Sequence, residues 1–171
     1  MHTYFPMDAE KDLMDWLMWP CLILIVTTPL RFAMEAAGVS TGITRFFSST
    51  VIVMLLSAYL GAAMAQHIEN PWRRLIGAGF SLGYLNGLMT LIATLLSTYT
   101  TIETHYRYHD VHISDARHIL MMHVVSGPLL ISLVAILIAL AAYGISVRIK
   151  KRRLSFAVSS DDRATSRTDP K

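Results

Sequence analysis

Charged residues are unevenly placed along the chain. No Asp, Glu, Lys or Arg occurs from Phe46 to Gln66, from Leu75 to Ile102 or from Ile119 to Val147. Each stretch exceeds the roughly 18 apolar residues that mark a membrane span, because a ~30 Å hydrocarbon layer takes about 20 helical residues to cross. A water-soluble domain can bury one such helix. Three in 171 residues leave too little amphipathic sequence to cover them. A fourth apolar segment is shorter, with 15 uncharged residues between Asp15 and Arg31, interrupted by Pro20 and Pro29. Leu13 and Met14 lengthen it at one end and Phe32 to Met34 at the other, with Arg31 reaching back toward the interface. Trp16 and Trp19 suit an interfacial aromatic belt. The pattern predicts an all-α, polytopic membrane protein, a four-helix transmembrane bundle with spans at about 13–34, 46–66, 73–102 and 118–147.

Turn chemistry separates these spans. Gly38, Ser40 and Gly42 form a break, and Thr44 is placed to cap the second helix. Asn70 and Pro71 mark the next turn, with Pro71 favourable at a helix start. The most basic segment, Arg148 with Lys150, Lys151, Arg152 and Arg153, follows directly on the last apolar run. Placed there it is an orientation signal, predicting cytoplasmic termini. Residues 1–12 then form a cytoplasmic segment, 103–117 an outer loop rich in histidine, and 148–171 a basic, disordered cytoplasmic tail.

Composition agrees with this reading. Charged residues make up 16%, against about 25% in an ordinary soluble domain. The net charge of +3 is concentrated after the last span, so it points to the lipid bilayer and not to nucleic acid. One cysteine, Cys21, excludes an internal disulfide and any metal site built on a cysteine pair. The acidic start (Asp8, Glu10, Asp12, Asp15) lacks the basic n-region of a removable signal, and a bacterial inner membrane is the expected location.

Two constellations bear on function. Gly79, Gly83 and Gly87 recur every four residues, and the stripe continues through Thr90, Thr94, Ser97 and Thr101 with Asn86 beside it. The second helix offers a matching series, Ser57, Gly61 and Ala65. Small residues at this spacing let helix backbones approach closely, so these are read as packing seams. The other constellation is histidine. His105, His109 and His112 share one face if their segment is helical, as the donors of a Zn, Cu or Fe site would. Asp110, Asp115 or Glu103 are available as a carboxylate ligand or to orient an imidazole. His118 and His123 follow, and His123 lies about one turn inside the last apolar run, where a polar ring needs a partner. Asn86, Tyr99 or a backbone carbonyl is a structural partner for it, and a haem b iron a functional one. The competing reading is that His, Tyr and Arg of this stretch simply suit the headgroup zone.

The paired histidines of small four-helix membrane b-type cytochromes are not reproduced, since the first three apolar runs hold no histidine. The box at His105, His109 and His112 is similar only superficially to one box of the membrane hydroxylases and desaturases, which use several. Three functions are therefore expected in order. The first is a non-catalytic subunit or accessory component of a membrane complex, with a membrane-protein partner or a second copy. The second is a redox protein holding haem or a transition metal in the outer histidine cluster. The third is a small transporter, ranked last because the three clear spans hold no charge.

Overall fold

A computed structural model describes residues 13–68, 70–100, 102, 104 and 121–165. It is all-helical among these residues. Four long helices follow one another up and down: α1 (Leu13–Ala36), α2 (Ser49–His67), α3 (Trp72–Tyr99) and α4 (Gly127–Thr165). Four segments are long and apolar enough to cross a membrane: Leu13–Ala36, Thr41–His67, Trp72–Tyr99 and Val124–Arg153. The first runs through both Pro20 and Pro29 without a break.

Helix α1 stops in a Schellman turn. Gly38 takes φ +78°, Val39 N–H donates to Met34 O at 3.0 Å, and Gly38 N–H donates to Glu35 O at 2.9 Å. Glycine suits this position because a left-handed backbone carries no Cβ penalty there. A helical turn at Thr41–Thr44 and a 3₁₀ turn at Arg45–Phe47 precede α2. Thr44 is not the cap of α2. Ser48 stands in extended conformation before Ser49 and restarts the helix, while Thr44 is buried in the preceding turn.

The bundle is assembled around α4. A Cβ added to Gly61 of α2 would fall 2.9 Å from the Ala139 carbonyl carbon and closer still to its oxygen. One on Gly79 of α3 would fall 3.0 Å from Ile136 N, and one on Gly83 would fall 2.7 Å from Ser132 N. The two glycine series therefore meet α4 and not each other. Ser132 Oγ, buried in this seam, donates across it to Phe80 O at 3.3 Å. Leu60, Met64, Leu75 and Leu82 fill the space around Ala135 and Ala139, and α1 packs outside against α3 and α2. Trp16 of α1 lies beside His67 and Trp72 of α3 beside Tyr143 of α4, each with ring centroids 6.0 Å apart, at one end of the bundle. Arg73, Arg74 and the cations from Arg148 to Arg153 belong to this basic end.

Several polar side chains are buried with the core while many apolar ones face outward. Thr28, Ser57, Asn86, Thr94, Ser97 and Ser132 are buried, whereas Leu55, Leu88, Leu130, Leu133 and Leu137 are exposed. Water would not favour so large an apolar surface, but a lipid solvent would. By length and composition, four helices among the described residues suit a membrane protein.

Beyond residue 148, α4 continues as helix through Thr165. No Gly or Pro interrupts the sequence between Ile145 and Asp169. A helix already formed extends by propagation, without paying for a new nucleus, and Arg, Lys, Leu and Ala are good helix formers.

The seam makes a prediction. Gly61→Ala drives a methyl group into α4 backbone and should destabilise the bundle by about 1–3 kcal/mol. Gly144→Ala, with nothing within 4 Å of the new methyl, should leave stability unchanged or slightly raised. Reversible unfolding in mixed detergent, followed by circular dichroism, checks the contrast.

Candidate functional site

The polar face of α3 changes character beyond the glycine seam. Asn86, Thr90 and Thr94 recur every four residues and Ser97 follows, so they continue one stripe of the helix. Opposite them the chain enters α4 through a π-helical turn, Met121–Ser126. Two residues account for that turn. Pro128 has no N–H, so it cannot bond back to the preceding turn. Gly127 lets the Met122 carbonyl come closer than any Cβ would permit. Ser126 Oγ occupies a loosened carbonyl, donating to Met121 O at 3.1 Å. Single π turns of this type recur at functional positions in helices.

Between the turn and the stripe lies a cleft of about 220 Å³, lined by Thr50, Asn86, Gly87, Thr90, Met122, Gly127, Pro128 and Ile131. Asn86 is 2% exposed, and its Oδ1 has no hydrogen-bond partner. The hydroxyls of Thr28 and Thr94 are also buried without partners. A buried acceptor lacking a donor costs about 1–3 kcal/mol. The cleft's volume is below the roughly 300–1,000 Å³ of pockets that enclose cofactor-sized ligands. A side chain or small group fits it better than a macrocycle.

A charged pair lies toward the same end of the bundle. Arg31 Nε donates to Glu35 Oε1 at 3.0 Å, and the two side chains are only 10% and 5% exposed. Arg31 therefore turns into the protein and does not reach out to the interface as the sequence suggested. Its i, i+4 spacing to Glu35 was the available signal. Nearby in α3, Ser97 Oγ donates to Ile102 O at 3.2 Å and accepts from Thr104 Oγ1 at 3.0 Å.

The structure distributes the sequence-derived residues unequally. Gly61, Gly79 and Gly83 line the seam with α4. Ser57 is buried and donates to Val53 O at 2.7 Å within its own helix. Ala65 borders a second cleft at the basic end, and Gly87 leaves the seam to line the Asn86 cleft. His105, His109, His112 and His118 lie outside the described residues, as does the His123 side chain, although the His123 backbone belongs to the π turn. Among the described residues no group of three or more His, Cys, Asp and Glu comes together as a metal site would need. Comparison with protein-family models, with curated protein sequences and with solved structures gives no match to this chain.

The Arg31–Glu35 pair should matter to stability. Breaking a well-buried ion pair by removing one partner costs about 3–5 kcal/mol. Glu35→Gln should therefore destabilise the bundle strongly. Arg31→Met combined with Glu35→Leu should cost less than the two single changes added together, as read in a double-mutant cycle of detergent unfolding.

Proposed function

We propose that this chain spans a membrane four times, with both termini in the cytoplasm, and serves as a non-catalytic component of a larger membrane assembly. The supporting observation is the Asn86 cleft. It is open on the flank of the bundle, walled by small residues and hydroxyls, and holds an amide oxygen whose hydrogen bond is unmade. Between helices in lipid, small residues allow close approach and amide groups bond across the contact, each such bond contributing about 1–2 kcal/mol. The cleft has the composition of half an interface, and the expected occupant is a transmembrane helix of another protein that presents a hydrogen-bond donor at the depth of Asn86.

Sidedness rests on charge. Arg73, Arg74, Arg148, Lys150, Lys151, Arg152 and Arg153 gather at one end of the bundle, and loops rich in Lys and Arg stay on the cytoplasmic side. In a Cys21→Ser background, Ser40→Cys should react with a membrane-impermeant maleimide in intact cells, and Ser155→Cys only after lysis. The reverse labelling would invert the assignment.

The association itself is testable at the cleft rim. A diazirine-bearing side chain replacing Met122 should crosslink in native membranes to a second membrane protein of distinct mass. Asn86→Leu should lower that yield about tenfold, the weight of one interhelical hydrogen bond, while the melting temperature falls little. An adduct of twice the chain mass would identify a homo-oligomer. Lipid adducts alone, unaffected by Asn86→Leu, would reject the association.

A further inference from the structure

The basic end holds a second cleft, which the association does not use. It lies where α2 ends beside α4 and is lined by Ala65, Gln66, Ser146, Ile149, Lys150 and Arg153, enclosing about 510 Å³. Ser146, Lys150 and Arg153 are spaced four and three apart, so they share one face of α4. Lys150 Nζ leans over the end of α2, 3.5 Å from Gln66 O. That is a long contact to a neutral carbonyl and leaves the ammonium largely uncompensated. Arg153 makes no ion pair among the described residues, where Arg31–Glu35, toward the opposite end, is the pair formed. Two cations and a hydroxyl thus converge on a cavity that, among the described residues, no carboxylate lines.

The surroundings identify the kind of anion. The cleft lies beside the level at which α2 gives way to α3, near the Trp72–Tyr143 aromatic contact, and paired aromatic rings at span ends mark the headgroup zone. The same helix shows exposed aliphatic surface here: Ile149, beside Lys150 on the cleft wall, is 48% exposed, and Ile145, about one turn further inward, is 58% exposed. A ligand seated here meets cations at one end and bare aliphatic surface at the other. Free phosphate would use only the first. Basic pockets between membrane helices on the cytoplasmic side suit acidic lipid headgroups.

We infer that this cleft is a binding site for the phosphodiester headgroup of an anionic phospholipid, held by Lys150 and Arg153 with Ser146 donating, and with its acyl chain laid along Ile145 and Ile149. The site rests on the bilayer placement proposed above.

The test uses the full chain in mild detergent, with phosphatidylglycerol and phosphatidylcholine of identical acyl chains offered as an equimolar mixture. Native mass spectrometry counts the lipid retained. Each cation near an anionic headgroup contributes about fivefold. Phosphatidylglycerol should therefore be retained at least tenfold over phosphatidylcholine, and K150Q/R153Q should erase that preference. K151Q/R152Q removes the same charge from the opposite face of the helix and should keep most of it. Equal losses in the two double variants would show diffuse surface attraction and overturn the site. Displacement of phosphatidylglycerol by millimolar inorganic phosphate would make it a phosphate site and overturn the lipid assignment. Flotation of the chain with neutral phosphatidylcholine vesicles reports insertion separately. A chain that fails to float refutes the bilayer placement. One that floats but shows no preference refutes only the site.

Discussion

The close approach of α4 to two helices at once is the contact on which this structure depends. In an apolar solvent one helix gains little by hiding leucines from its surroundings, because lipid and leucine are alike. Cohesion has to come from backbone proximity, dense van der Waals contact and the few hydrogen bonds that can be closed. Gly61, Gly79 and Gly83 supply the proximity by presenting no side chain where Ala139, Ile136 and Ser132 arrive. Ser132 supplies a hydrogen bond across the seam to Phe80 O. With α4 clasped on two sides, α1 closes the bundle from outside, against α3 and α2.

The same solvent explains why polarity is concentrated in so few places. In lipid a hydroxyl does best by bonding back to its own helix, as Ser57 does to Val53 O, Thr27 to Ile23 O and Thr98 to Thr94 O. Asn86 and Thr94 do not, and neither does Thr28. Of these, Asn86 lines the cleft where Gly127 and Pro128 have already loosened the entry to α4. A loosened turn and an unsatisfied amide on one cleft wall are mutually consistent: both are tolerable where something else is expected to complete the packing.

Much of the fold was legible in the sequence because lipid imposes a simple rule. Lengths of charge-free chain announced the last three long apolar helices, and the recurrence of Gly, Ser and Thr announced seam-forming faces. What stayed hidden was which faces meet. The Gly79 and Gly61 series looked like partners for each other, but periodicity marks a face and not its neighbour, and α4, whose own contact residues are Ser132, Ile136 and Ala139, carries no glycine there to advertise itself. Arg31 was misplaced for a related reason. Proximity to a helix end suggests an interfacial side chain, and only its pairing with Glu35 turns it inward. Gly127 and Pro128 are weak points that the sequence does show, but they do not specify the hydrogen-bond pattern of the π turn.

The uninterrupted helix α4 has a mechanical consequence. From Gly127 to Thr165 α4 forms one element of 39 residues, about 58 Å of rod at 1.5 Å per residue. Among the described residues α2 and α3 pack along its first half, and Lys150 reaches Gln66 O just beyond it. The azimuth at which Lys150 and Arg153 face is therefore set by the register of the seam, with no hinge between to absorb a twist. Converting the π turn to regular helix would have to be accommodated on the other side, in the chain leading into Met121, because the rod is keyed against rotation.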